Sequence, residues 1–279
     1  MRKPKTVILQ GEPGSGKSRM ACLTATRKPV HVVDIDRKIG SAEWAMAAIE
    51  SKELTYWELA EPVDETNIRN RLNTLAQKLP QDRQGPGIRP KGIDTFSEYV
   101  YSMAKDPIAQ AAGTWLFDSA TALNEHAKAH ISFIAKRDKF AFDQWSALKT
   151  WWMDTFEFTR DFAREYNKDL AWTVHERVKE NPGERVTGAR VEYVDSGEGK
   201  SRVVTYLGQQ DVDVWASIDG AFGGLIGSKA DEYYHLYVEV NGEKVEWKCR
   251  VQPDGRRALR TSFNVTQAVF PPDFRVIWK

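Results

Sequence analysis

The stretch Gly11-Glu12-Pro13-Gly14-Ser15-Gly16-Lys17-Ser18 constrains the fold of this chain more than any other, because it requires a strand before it and a helix after it. Both neighbours have suitable composition. Thr6-Val7-Ile8-Leu9 is a short apolar run, and the residues from Met20 to Ala25 are compatible with a helix. Glycines at 11, 14 and 16 let the backbone turn tightly with its N–H groups inward, and the following helix brings the positive end of its dipole to the same point. This is a phosphate-binding loop. Gly11, Glu12, Pro13, Gly14, Ser15, Gly16, Lys17, Ser18 and Arg19 are the expected nucleotide contacts, with Lys17 neutralising β- and γ-phosphate charge and Ser18 holding Mg²⁺. ATP and Mg²⁺ are the expected ligands.

The chain has 279 residues, enough for one large α/β domain with an elaboration. Lys and Arg total 40 against 39 Asp and Glu, so any nucleic-acid surface must be local rather than a bulk charge. Two cysteines, Cys22 and Cys249, make neither a disulfide framework nor a metal cluster, which fits a reducing cytoplasm. The N-terminal apolar run is too short for a signal peptide, and no stretch approaches the roughly 18 apolar residues of a membrane span. Ten tryptophans are expected in core and interface packing.

Along the chain, residues 29 to 36 (PVHVVDID) read as a buried parallel strand with Asp34 and Asp36 at its carboxyl end. A short helix from Ser41 to Ser51, a strand in LTYWELA and a helix over 64 to 79 follow. Residues 79 to 92, rich in Pro, Gly and charge, read as a mobile loop, and a helix from Thr95 to Lys105 leads to the strand TWLFDSA. Two long helical patterns come next. Leu123, Ala127, Ile131 and Ile134 form one apolar stripe; Trp145, Leu148, Trp152, Phe156, Thr159, Phe162 and Tyr166 form another, and both are assigned to the core. DLAWTVHE is a further buried strand, SRVVTYLG another, and YYHLYVEV-NG-EKVEWKCRV a hairpin. The order predicts a doubly wound, mostly parallel α/β sheet. A core over residues 1–205 carries a β-hairpin-rich extension of the same domain over 206–279.

A phosphate loop needs a second carboxylate for Mg²⁺ at the end of a neighbouring apolar strand, and Asp118 in TWLFDSA has that context. The residue after it is Ser119, so the base that activates water comes from elsewhere. Asp36, on the strand after the loop helix, has the topology for it; Asp34 is the competing acid.

Taken in order, GEPGSGKS, VVDID, WLFDSATAL and a strand ending TVHE resemble the RecA-like ATPase core, particularly the phage annealing and recombination ATPases of the Sak group. The resemblance covers residues 5 to about 205. It implies a DNA-stimulated ATPase, in which Asp36 polarises the attacking water, Asp118 serves Mg²⁺ and His175 senses the γ-phosphate. Asp36 stands where the family usually has Glu, and His175 where RecA has Gln. The resemblance further implies single-stranded DNA contacts from Lys136, Arg137, Lys139 and Phe140, with Phe142 interleaved, and from Arg177, Lys179, Arg185 and Arg190. Cations for phosphates with aromatic faces for bases suit sequence-tolerant binding. Arg256, Arg257 and Arg260, around the Pro-Asp-Gly turn after the hairpin, are the expected trans-acting cations of a filament or ring of identical subunits. A single-stranded-DNA-binding protein is a further expected partner. Two other classes share the loop: a small-molecule or nucleotide kinase, and a nucleotide switch with little turnover. DSGEGKS, at 195 to 201, is not a second phosphate loop, because Val194 stands where the first Gly is needed.

Overall fold

The computed structural model describes residues 2–60, 90–137, 140–178, 189–195, 200–206, 214–218, 222–241, 244–253 and 259–278. Strand β1 (Thr6–Gly11), helix α1 (Lys17–Thr24), β2 (Val30–Asp34), α2 (Glu43–Glu50) and β3 (Leu54–Glu58) open the chain. Next come α3 (Gly92–Ser102), α4 (Pro107–Ala111), β4 (Thr114–Asp118), α5 (Ala120–Ala135), α6 (Phe142–Glu165) and β5 (Asp169–Val178). The remainder comprises β6 (Ala189–Asp195), β7 (Lys200–Tyr206), β8 (Val214–Ala216), α7 (Phe222–Lys229), β9 (Glu232–Asn241), β10 (Lys244–Arg250), β11 (Val269–Phe270) and α8 (Phe274–Ile277).

The main sheet has the order β11-β10-β9-β1-β5-β4-β2-β3, with β8 paired to β5, while β6 and β7 pair apart from it. From β9 to β3 every pairing is parallel; β10 and β11 add an antiparallel edge. The expected doubly wound sheet is therefore observed. Residues after 205 supply β9, which lies directly against β1 in the register Gly11 to Leu236.

Alternation along each strand explains the two layers. Val7, Leu9, Val32, Leu116 and Ala171 face α1 and α2 in one core. Ile8, Val33, Trp115, Phe117, Trp172 and Val174 face α3, α5 and α6 in the other. Trp115, Trp152 and Trp172 are fully buried. Phe117 stacks on Trp172 at 4.5 Å, and Trp152 meets Trp172 edge-on at 6.1 Å, so an aromatic layer fixes α6 to β4 and β5.

The helical stripes need one correction. Ile134 is 66% exposed and Trp145 36% exposed, whereas Leu123, Ala127, Leu148, Trp152 and Phe156 are buried. A 24-residue helix such as α6 is about 36 Å long, whereas a five-residue strand spans only about 17 Å. The helix overruns the sheet, and side chains in its first turn have no sheet beneath them. Helix α6 hands over to β5 at the edge where β4 begins, as the Asp169 N–H to Gly113 carbonyl bond (3.0 Å) shows. Its overrunning end therefore lies toward the opposite edge, where the carboxyl ends of the strands and the phosphate loop are. The helix expected over 64 to 79, and all but the last residues of the loop at 79 to 92, lie outside the described residues.

Candidate active site

Strand β1 ends at Gly11, flanked by His175 of β5 and Leu236 of β9. A Cβ at Gly11 would fall 2.2 Å from the Leu236 carbonyl oxygen and 2.6 Å from Ser15 Oγ, so only glycine fits where the chain leaves the sheet. Gly14 (φ 80°) and Gly16 (φ 89°) take the left-handed backbone the loop needs. Gly16 is the N-cap of α1 and offers no side chain to the helix's first N–H groups, which leaves them for an anion.

Lys17 closes this cradle. Its buried ammonium donates to the carbonyl oxygens of Gly11 (2.9 Å) and Glu12 (2.7 Å) and lies 3.4 Å from Ser15 Oγ and 3.5 Å from His175 Nδ1. Burial lowers its pKa to about 8, opposed by the charges of Asp118, Glu176 and Asp36. A cation whose shortest bonds go to loop carbonyls, with no carboxylate among the described residues paired to it, is available to an incoming phosphate. The glycine cradle, the open helix end and this lysine fit a nucleotide triphosphate.

Asp118, at the end of β4, is buried and accepts a bond from the Thr173 hydroxyl of β5. Burial raises its pKa, opposed by hydrogen bonds from Thr173 and Ser18, while the charge of Asp36 adds to the rise. Ser18 and Asp118 thus stand together beside the loop, two hard oxygen donors of the kind that Mg²⁺ takes. The cap of the next helix, α5, is Ser119, whose hydroxyl accepts from the Ala122 N–H at 3.3 Å, so Asp118 is not spent on it.

The two acids after α1 separate cleanly. Asp34 is fully buried, and its carboxylate accepts the N–H groups of Lys38 (3.2 Å) and Ile39 (2.7 Å), so it holds the turn after β2. Asp36 rides on that turn. The Asp118 carbonyl accepts the N–H groups of Ile35 (2.6 Å) and Asp36 (3.0 Å), which brings Asp36 over the end of β4. One of its oxygens, Oδ2, takes a bond from Ser119 Oγ (3.1 Å) and faces Lys38 Nζ (3.6 Å) and His175 Nε2 (3.8 Å). Burial would raise the Asp36 pKa, but the His175 bond, the Lys38 charge and the Ser119 bond outweigh it and hold the carboxyl below its ordinary value.

His175 joins the two halves, with Nδ1 toward Lys17 and Nε2 toward Asp36. Its backbone N–H is fixed by Thr121 Oγ1 at 2.9 Å. The next residue, Glu176, points to the other face of the sheet and bonds buried His235 of β9 at 2.6 Å. Lys17, Ser18, Asp36, Asp118 and His175, expected from the sequence, are therefore assembled on one edge. Sequence reasoning passed over Thr173, Ser119, Lys38 and Trp247. Thr173 was findable, since it lies two residues before His175 and shares its face. Trp247 was not: it comes from β10, and its Cδ1 lies 3.3 Å from where a Cβ on Gly16 would be.

Among the other expected residues, Lys136 ends α5 in the left-handed conformation and is exposed, and Arg137 pairs with Asp143 at 3.5 Å. Phe140 is half-buried against the core and lies 4.6 Å from Trp145, whereas Phe142 is 89% exposed. Arg177 lies on β5 and Arg190 on β6. Arg260 exchanges backbone bonds with Tyr233, on β9, and is exposed. Lys139, Lys179, Arg185, Arg256 and Arg257 lie outside the described residues.

No family model matches the chain. No curated protein matches it either. Among solved structures, a KaiC-like protein from Pyrococcus horikoshii is 13% identical, with 95% of this chain and 84% of that chain covered at a TM-score of 0.38. The flagellar accessory protein FlaH from Methanocaldococcus jannaschii is 12% identical, with 93% and 92% covered at a TM-score of 0.37. With TM-scores this low, the fold rests on the chain's own strand order: the loop on β1, the acid ending β4 and the polar end of β5 between them. The core is a doubly wound, mostly parallel α/β sheet with the phosphate loop on β1. Among the described residues, no helix is long and apolar enough to cross a membrane.

Proposed function

We propose that this chain is an Mg²⁺-dependent, ATP-hydrolysing RecA-like protein that acts on single-stranded DNA in recombination or replication, as an assembly of identical subunits. One observation carries the ATPase reading. A phosphate cradle, an Mg²⁺-type oxygen pair and an ionised carboxylate free of backbone duties converge within one edge of the sheet. Mg²⁺ at Ser18 and Asp118 would neutralise charge building on the β- and γ-oxygens. Lys17 exchanges its loop carbonyls for phosphate oxygens. Asp36 orients the attacking water and takes its proton, while Ser119 and His175 fix the carboxylate through Oδ2. His175 also reaches Lys17, which lets one ring report on both the phosphate and the base.

Support for the DNA reading is the overrun of α6, with the end of α5 tied to its first turn by the Arg137–Asp143 pair. Exposed Lys136 and Arg137 stand with the bare ring of Phe142 toward the edge that carries the phosphate loop, a cation and stacking pair of the type single strands use. Phosphate release measured with and without an unstructured oligothymidylate tests both parts. Turnover that rises with DNA and vanishes in Lys17→Ala supports the reading. Turnover indifferent to DNA removes the DNA part, and transfer of the phosphoryl group to a small acceptor without phosphate release favours the kinase class instead.

A further inference from the structure

We infer that Lys38 is a cis-acting catalytic cation, which leaves Asp36 when ATP binds and donates to the γ-phosphoryl oxygens as they take up charge in hydrolysis. This rests on the ATPase reading above and names a residue in it. Three observations carry it. First, the turn after β2 has two adjacent cations and directs them differently. Arg37, with φ 59°, is turned away to Glu58 on β3 at 2.7 Å, while Lys38 Nζ lies 3.6 Å from Asp36 Oδ2. Second, the base of Lys38 is fixed while its tip, apart from the Asp36 pair, lies in solvent. Its N–H is held by Asp34 Oδ1 at 3.2 Å, yet its side chain is 71% exposed, so the ammonium can move by several ångströms without disturbing the turn. Third, Lys38 is close enough to Lys17 for their charges to oppose each other, and Asp36 and Asp118 of the same edge act on that ammonium with the opposite sign. Two like charges kept this near each other are poised for a strongly anionic ligand between them, and a triphosphate in the glycine cradle puts its γ-group there.

In the reaction, the water oxygen bonds to the γ-phosphorus and the bond from that phosphorus to the β,γ-bridging oxygen breaks. The electron pair leaves on the β-phosphate of ADP, and the water proton goes to Asp36. Lys38 transfers no proton. Having left Asp36 for the phosphoryl oxygens when ATP bound, it is already beside the charge that builds as the bond breaks, so its interaction strengthens toward the transition state.

The experiment compares wild type, Lys38→Met and Lys38→Arg for binding of Mg²⁺–ADP alone, binding of Mg²⁺–ADP with aluminium fluoride, and turnover. The expected result for Lys38→Met is unchanged ADP affinity, at least about tenfold weaker trapping of the fluoride complex and a similar loss in kcat, with partial recovery in Lys38→Arg. Mixing Lys38→Met with Lys17→Ala subunits should restore nothing, because each active site needs both lysines from one chain. Trapping as tight as wild type in Lys38→Met overturns the role of Lys38 alone, and recovery on mixing overturns its action in cis. A wild type that binds no Mg²⁺–ADP overturns the reading of the whole site, this inference included.

Discussion

Lys17 makes nucleotide binding depend on alkaline pH in a calculable way. Burial holds its pKa near 8, whereas an unperturbed lysine titrates near 10.4. A bound triphosphate adds several negative charges beside the ammonium and drives that pKa back up, so only the protonated form binds well. With a pKa near 8, the protonated fraction falls from about 0.9 at pH 7 to about 0.5 at pH 8 and about 0.1 at pH 9, and apparent affinity falls in proportion, about tenfold from pH 7 to 9. The terminal phosphate is already ionised over this range, since its last pKa is near 6. Calorimetry at pH 8 in buffers of different ionisation enthalpy should therefore find about half a proton taken up per nucleotide bound. Lys17→Arg is the control, because a guanidinium stays charged throughout and its weaker binding should be flat with pH. Affinity constant between pH 7 and 9 in wild type, or equal proton uptake in Lys17→Arg, would refute the reasoning.

Asp36→Asn should keep Mg²⁺–ATP affinity and lose turnover by about 10² to 10⁴, while Asp118→Asn should raise the Mg²⁺ requirement; identical behaviour in the two variants would collapse the division between them. Charge reversal at Lys136 and Arg137 should weaken oligothymidylate binding and reduce the slope of log affinity against log salt by about 0.7 for each phosphate no longer neutralised, and Phe142→Ala should weaken binding without changing the slope. His31 is buried between Thr55 and Tyr99, and burial lowers its pKa to about 4 against the opposing charge of Asp106. It stays neutral when folded and protonates more readily when unfolded, so its contribution is whole above pH 6.5 and is lost as pH falls toward 4, by about 3 kcal/mol. Urea unfolding at pH 7 and 4.5 checks this, and a pH dependence identical in His31→Gln would refute it.

What was legible in the sequence is what local rules govern. The phosphate loop could be read because its glycines have backbone duties that no other residue performs, and its strand and helix are contiguous with it. Asp118 could be read because the apolar run before it is a strand buried on both faces. The division between Asp34 and Asp36 was harder. Both sit at the end of β2, two residues apart, and only the turn geometry shows that Asp34 is consumed by two backbone N–H groups while Asp36 is not. The same turn explains Lys38. In the sequence it is one of 40 basic residues, with no apolar period or motif around it to mark it out. In the fold it is the cation that remains once Glu58 on the neighbouring strand has drawn Arg37 away.

Contacts between distant segments were invisible for a related reason. Trp247 lies on the antiparallel edge, and it reaches Gly16 only because β9 inserts beside β1 and carries β10 with it past the end of the loop strand. Alternation within YYHLYVEV and EKVEWKCRV predicts a hairpin equally well in the sheet or beside it, since period two fixes faces and not neighbours. The choice is made by side chains far apart in sequence. Tyr233 bonds Gln10 of β1, and His235 reaches Glu176 across β1. The second pair braces β5, which carries His175, on its other face against β9, and β9 is paired in turn with the strand that brings Trp247 to Gly16. The edge that holds the candidate catalytic groups is thus built from both ends of the chain, and replacing His235 should loosen His175 without touching any group that meets the nucleotide.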